Sequence, residues 1–241
     1  TWDVVTGSLV NQLFRNIQLS QLGNFFTLPT DCPQRNERMG WTGDAQAYAR
    51  TAAYNSDVYG FFLQWMRSLR ADQTAEGGIG STIPEYSRER PTGFPDGTTW
   101  GAAVCMVPWQ MWCQYGDRQI VQDNLDAMVR GLDGMAGYPM SERFPHLSSR
   151  TGGLADWLAM DARTPADLVN NAIYIYMMEV TARMASAVGR PDISRRLTER
   201  HRLAKQEWNL CYVDEHTGQT RSADGEQVNT QSSYATPLNF N

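Results

Sequence analysis

Three carboxylates, two arginines and a tryptophan fall within the fourteen-residue run DCPQRNERMGWTGD, Asp31 to Asp44. Pro33, Gly40 and Gly43 make most of this run a loop. A stiff loop that brings Asp31, Glu37 and Asp44 together supplies what glycoside hydrolysis uses. One carboxylic acid protonates the leaving oxygen, and further carboxylates hold sugar hydroxyls. A nearby arginine keeps some carboxylates ionised, while burial raises the pKa of the one that must donate. Trp41 offers a flat apolar face to the C–H side of a sugar. Each residue also has a plainer use. Asp44 fits a helix N-cap, and Asp31, two residues before Pro33, fits an Asx turn. Arg35 and Arg38 fit surface ion pairs with Glu37, which are worth little. Residue type and spacing leave both uses open.

The elements that must position this loop are helical. Apolar periodicity predicts helices from Val4 to about Leu19, from Asp44 through Ala52, and from Val58 to Leu69. A helix from about Ala102 to Tyr115 follows, ended by Gly116, with Pro108 in its first turn or kinking it. The next runs from Arg118 to about Met135. Thr164-Pro165 reads as an N-cap followed by proline at the first helical position. That helix ends at Gly189, and Asp192 caps another to about Trp208. VDEHTGQT reads as a turn that can flank a short hairpin, and QSSYATPLNF as the first turns of a further helix. Long loops, Pro84 to Gly97 and around Gly152-Gly153, alternate with short links. No alternation is long enough for a sheet core. Several helices are apolar on more than one face and need neighbours on two sides. The fold expected is therefore all-α: an (α/α)6 toroid of paired helices, incomplete in this chain, with the long loops gathered at one end where a site is built. A four-helix bundle fits less well, and no exact repeat supports a solenoid.

Composition narrows the partners. The chain has 241 residues, 41% of them hydrophobic, and a net charge of -5. No basic stripe is available for nucleic acid, and no apolar run approaches the ~20 residues that span a bilayer. Cys32, Cys105, Cys113 and Cys211 include no CxxC pair, and His146, His201 and His216 are scattered. Buried free thiols are expected, with no metal site and no cofactor. Thr1 is followed by no leader-like segment, so the chain reads as cut at both ends.

The run DCPQRNERMGWTGDAQ is similar to the signature of bacterial α-L-rhamnosidases of glycoside hydrolase family 78. The resemblance continues in order through YNSDVYGFFLQWMRSLRADQ, TTWGAAV, PWQMWCQYGD, ADWLAMDARTPADLVNNAIY and VGRPD, covering almost the whole chain. It implies an (α/α)6 catalytic toroid that hydrolyses terminal α-L-rhamnosides with inversion. It implies Glu37 as the general acid, with Asp31, Arg35 and Asp44 binding rhamnose hydroxyls. Trp41, Trp100 and Trp157 would line the pocket, although core packing is the plainer use of Trp100 and Trp157. Asp156 would be a supporting acceptor. Two departures stand out. Ala102 follows Trp100-Gly101, where the family usually has an acid. The family's general base, a glutamate of a later loop, has no match before Asn241. Residues 1–241 are thus expected to be a partial six-hairpin glycosidase catalytic domain, inactive alone. A non-catalytic rhamnose-binding homologue is the alternative that Ala102 supports. DCPQRNER speaks against another (α/α)6 glycosidase.

Overall fold

A helix with one apolar stripe is covered from one side, and a helix apolar most of the way round must be covered from several. Both kinds occur in the computed structural model, which describes residues 4–86, 98–151 and 155–239. Its helices are α1 (Val4–Asn24), α2 (Thr42–Asn55), α3 (Tyr59–Asp72), α4 (Thr98–Gly101), α5 (Ala103–Tyr115), α6 (Gln119–Ala136), α7 (Ala166–Ala187), α8 (Pro191–Tyr212) and α9 (Gln231–Asn239). α3 buries Phe62, Trp65, Met66 and Leu69, a single stripe. α8 buries Ile193, Leu197, Ala204 and Trp208; Arg195 and Arg202 face outward, while Arg200 turns in to the Leu132 carbonyl and Tyr174. α5 and α7 are buried around most of their circumference. The chain accordingly alternates inner and outer helices. α2 packs on α5, α5 on α7 and α7 on α9, while α3, α6 and α8 lie behind them. This is the expected all-α toroid of paired helices. Among the described residues, β pairing is limited to isolated bridges, one of which, Val213 to Thr220, closes the short hairpin after α8.

Glycines end the helices where expected. Gly116 is left-handed (φ 72°) and its N–H caps the Trp112 carbonyl. Three expectations at helix starts are corrected. α2 begins at Thr42, so Asp44 lies inside the first turn and not at the N-cap, which is Trp41. Pro165 occupies the N-cap position of α7 and no side chain caps it. The Thr164 hydroxyl is drawn instead to Asp156, at 2.8 Å. Asp192 likewise sits within the first turn of α8, behind Pro191. Pro108 lies in the interior of α5 and not in its first turn. The four cysteines are free, but Cys113 is exposed and Cys32 only partly buried. Most of the Pro84–Gly97 loop and Gly152-Gly153 lie outside the described residues.

α1 is exposed along most of its length and is fastened at its last turns. Gln21 is buried there; its carbonyl oxygen accepts from Asn55 (2.9 Å) and Tyr48 (3.2 Å). Phe25 stacks on Phe61 at 4.6 Å. On the far side of α3, a turn at Gly77 (φ +90°) presses onto α6. A Cβ on Gly134 would lie 2.1 Å from the Glu76 carbonyl oxygen. Two backbones touch there, and neither can give way like a side chain. Gly134→Ala is therefore expected to cost ~1–3 kcal/mol, the usual range for overpacking. Gly137→Ala, with no neighbour nearer than 3.5 Å, should be close to neutral. Thermal melts of the two variants check this.

Candidate active site

The loop between α1 and α2 is held by main-chain atoms. The Ile83 N–H donates to the Gly40 carbonyl and the Thr42 N–H to the Ser81 carbonyl, both at 2.8 Å. The buried Thr42 hydroxyl adds contacts to the carbonyls of Gly80 (3.1 Å) and Ser81 (3.0 Å). A Cβ on Gly40 would lie 2.4 Å from the Ile83 carbonyl oxygen. That oxygen accepts a hydrogen bond from Trp65 Nε1 at 3.1 Å, which ties the pair of segments into the core. The Asp31 N–H donates to the Met39 carbonyl (3.1 Å), so residues 31–39 close on themselves. Arg38 takes a left-handed conformation (φ 54°) within this turn.

Inside this frame the acids converge. Glu37 Oε1 accepts from Trp41 Nε1 at 2.9 Å, and Oε2 from Arg35 Nε at 2.8 Å. These donors, Trp41 first and Arg35 second, hold the Glu37 carboxyl below the ordinary glutamate range. One carboxylate oxygen each of Asp31 and Glu37 and the Cys32 sulfur all lie within 4.8 Å of one another. They are the group among the described residues that comes nearest to an ion site, but both Glu37 oxygens are already engaged. Asp31 Oδ1 is buried and meets no donor among the described residues. An unpaired buried acceptor of this kind costs ~1–3 kcal/mol until a donor arrives. Beside it opens a cavity of about 400 Å³ lined by Asp31, Asp44, Tyr48, Phe25, Gln21 and Asn24. A hollow of about 700 Å³ on α2, α5 and α7 is lined by the cationic Arg50 and by uncharged residues that include Trp109 and Tyr176. It contains no carboxylate and has no acid to offer.

Asp44 reaches solvent at the cavity, yet the protein crowded around it raises its carboxyl pKa, with the charges of Asp31 and Glu37 as smaller contributors. The sign of the stability effect follows. A raised pKa means that the folded chain holds this proton more tightly than the unfolded chain does. Ionised Asp44 therefore weakens the fold at neutral pH. Asp44→Asn should raise the melting temperature at pH 7, and the gain should vanish as pH falls and wild-type Asp44 takes up its proton. Melts of both proteins across a pH series test this.

The aromatic residues divide into two places. Trp100, on the single turn α4, lies against Gly43 at the start of α2, one residue from Asp44. Trp157 is 58% exposed on a separate loop, followed by left-handed Leu158 (φ 60°). Asp156 holds that loop: Oδ2 accepts the N–H (3.1 Å) and hydroxyl (2.8 Å) of Thr164, and Oδ1 the Ser232 hydroxyl (3.0 Å). No described contact joins Asp156 or Trp157 to the acids. Ala102 is packed in the core, 1% exposed. Residue-by-residue reading took Gly43 for a loop residue, whereas it lies in the first turn of α2, and it did not single out Thr42 or the buried Asn170 and Asn171. The asparagine pair had a signal: two amides inside the apolar run LVNNAIYIY can only be buried if both are hydrogen bonded.

Residues 6–241 match the family described as bacterial alpha-L-rhamnosidase 6 hairpin glycosidase domain. The chain is 34% identical over 190 residues to an alpha-L-rhamnosidase of Formosa agariphila, covering 76% of this chain and 20% of that protein. The crystal structure of Streptomyces avermitilis alpha-L-rhamnosidase complexed with L-rhamnose superposes with a TM-score of 0.83 at 32% identity, over 95% of this chain and 20% of that one. Native alpha-L-rhamnosidase from Aspergillus terreus superposes with a TM-score of 0.80 at 30% identity, over 97% of this chain and 26% of that one. The chain thus spans only a fifth to about a quarter of the length of these relatives.

Proposed function

Since this chain belongs to the bacterial α-L-rhamnosidase six-hairpin glycosidase family, we propose that it is part of the catalytic domain of an inverting α-L-rhamnosidase. The observation that carries the reading is the buried, unpaired Asp31 Oδ1 beside Glu37 and the Asp44 cavity. A sugar hydroxyl is the donor that this oxygen lacks. Asp31 and Asp44 then accept from hydroxyls of rhamnose, Arg35 donates to one, and Trp41, Trp100 and Trp157 supply apolar faces. Such a wall suits the methyl group of a 6-deoxy sugar.

Glu37 protonates the glycosidic oxygen as its bond to the anomeric carbon breaks. Water adds to that carbon from the opposite face and loses its proton to a second carboxylate, ~6.5–9.5 Å from the first. We assign that base to a glutamate of a later loop, outside these residues. Glu37 is held ionised in the empty site by Trp41 and Arg35, so it has to gain its proton with substrate. A seated sugar excludes water and adds the desolvation that favours the neutral acid.

The test is hydrolysis of an aryl α-L-rhamnoside by the whole protein, followed by proton NMR. Inversion releases the β-anomer first; initial α-anomer would overturn the stereochemical assignment. The grip of Arg35 on Glu37 favours one second reading, rhamnose binding without turnover. L-rhamnose binding with no hydrolysis in the same experiment would establish it.

A further inference from the structure

α4 has a single turn and cannot hold its own shape. It is clamped from two inner helices. The side chain of Asn170, on α7 and 0% exposed, accepts the Thr99 N–H at 3.1 Å and also the Thr99 hydroxyl. Its amide N–H groups go to the carbonyls of Thr151 (3.0 Å) and Ala166 (2.8 Å). Gln46, on α2, donates to the Thr99 carbonyl. The backbone under Trp100 is thereby fixed, but these bonds do not choose the direction of its ring.

Gly43 chooses it. A Cβ at Gly43 would lie 2.4 Å from Trp100 Cε2 and 2.6 Å from both Cδ2 and Nε1. The indole lies flat on the bare Cα, in a notch cut into the first turn of α2. Trp100 Nε1 is buried with no hydrogen-bond partner among the described residues, so packing and not a polar contact sets the ring. Glycine inside a helix costs ~1 kcal/mol relative to alanine. Helix formation therefore gives no reason for it here, and the fit of the indole does.

We infer that Gly43 is a positioning residue: it holds Trp100 in place as a wall of the sugar site before substrate arrives. This rests on the rhamnosidase reading, and it adds a role to a residue that touches no sugar. A wall fixed in advance lowers the ordering cost of binding. Loss of Gly43 should therefore act on affinity more than on the chemical step.

The experiment is a double-mutant cycle in the whole protein with Gly43→Ala, Trp100→Ala and the pair. Substrate kinetics on an aryl α-L-rhamnoside are read beside near-ultraviolet circular dichroism without sugar. Gly43→Ala should raise KM about tenfold, with kcat within about threefold, and should change the tryptophan dichroism. In the Trp100→Ala background, where the ring that would clash is gone, the same substitution should change KM less than about twofold. An equal rise in KM in both backgrounds would overturn the inference, because Gly43 would then act through α2 itself. Should Gly43→Ala fail to fold, recovery of folding in the double variant supports the contact, and failure of both overturns it. If the unsubstituted protein hydrolyses no rhamnoside, the glycosidase reading falls. The dichroism still decides the contact, and an unchanged signal in Gly43→Ala would sink it.

Discussion

In the whole protein, Glu37→Gln is expected to lower kcat on a nitrophenyl α-L-rhamnoside about a thousandfold while leaving the melting temperature nearly unchanged. General acids contribute roughly a hundred- to ten-thousandfold to such steps. Glutamine is nearly the same size, and its carbonyl still accepts from Trp41 Nε1, now 2.9 Å from Glu37 Oε1. The loop is kept in shape by main-chain pairing of residues 40–42 with 81–83 and by the Asp31–Met39 hydrogen bond. What disappears is the proton. The loss should shrink for a dinitrophenyl leaving group, which departs without protonation. Turnover within about threefold of wild type on the poorer leaving group would remove Glu37 from the acid role. The pH profile carries the same logic. An acid works in its protonated form, and in the free enzyme Trp41 and Arg35 hold the Glu37 pKa low. kcat/KM, which reports the free enzyme, should therefore fall as pH rises through that lowered value. Arg35→Gln removes one of the two donors and should move the falling limb to higher pH.

Trp65→Ala is expected to cost ~3–5 kcal/mol of stability, the usual figure for removing a buried aromatic ring. Domains are stable by only ~5–15 kcal/mol, so much of the folded population is at stake at physiological temperature. Trp65 is 2% exposed and packs edge-on against Phe62, with centroids 6.2 Å apart. Its Nε1 also holds the Ile83 carbonyl that flanks Gly40. Trp65→Phe keeps most of the packing and loses that hydrogen bond, so it should cost clearly less, while the lost hydrogen bond, common to both variants, should appear in activity as a looser acid loop. Urea unfolding of the two variants separates the contributions. Equal losses for both would show that the hydrogen bond, and not the ring, holds the segment.

The helices were legible because periodicity and glycine stops report on short stretches of chain. Gly116 and Gly189 end α5 and α7 within a residue or two of where they should, and α3 (Tyr59–Asp72) covers nearly all of the expected Val58–Leu69 stretch. Helix starts were less legible. A threonine before proline looks like a cap, but Thr164 had a stronger partner in Asp156, on the neighbouring loop, and nothing local says so. The acids of the site could be read because Asp31, Glu37 and Asp44 are close in sequence. Their electrostatic division could be read only in part. An Arg35–Glu37 pair was among the expected uses, but that Trp41 would take the other Glu37 oxygen, leaving Asp31 Oδ1 unpaired and Asp44 crowded, depends on where the rings and guanidinium point. Gly43 was read as a turn residue, and its use as a seat for an indole some sixty positions away is a tertiary fact.

The clasp between residues 40–42 and 81–83 has a bearing on how this site can drift over generations. Two of its hydrogen bonds join amide to carbonyl and make no demand on side chains, while the Thr42 hydroxyl and Trp65 Nε1 add bonds that do. Position 82 on one arm is held by packing instead: Thr82 is 2% exposed, so a replacement has to fit the same space. The constraint on the other arm is stricter, a ban and not a preference. Any methyl group at Gly40 would meet the Ile83 oxygen at 2.4 Å. Seen this way, the heritable signature of the clasp is one position that must stay empty, facing another whose size is limited by its surroundings.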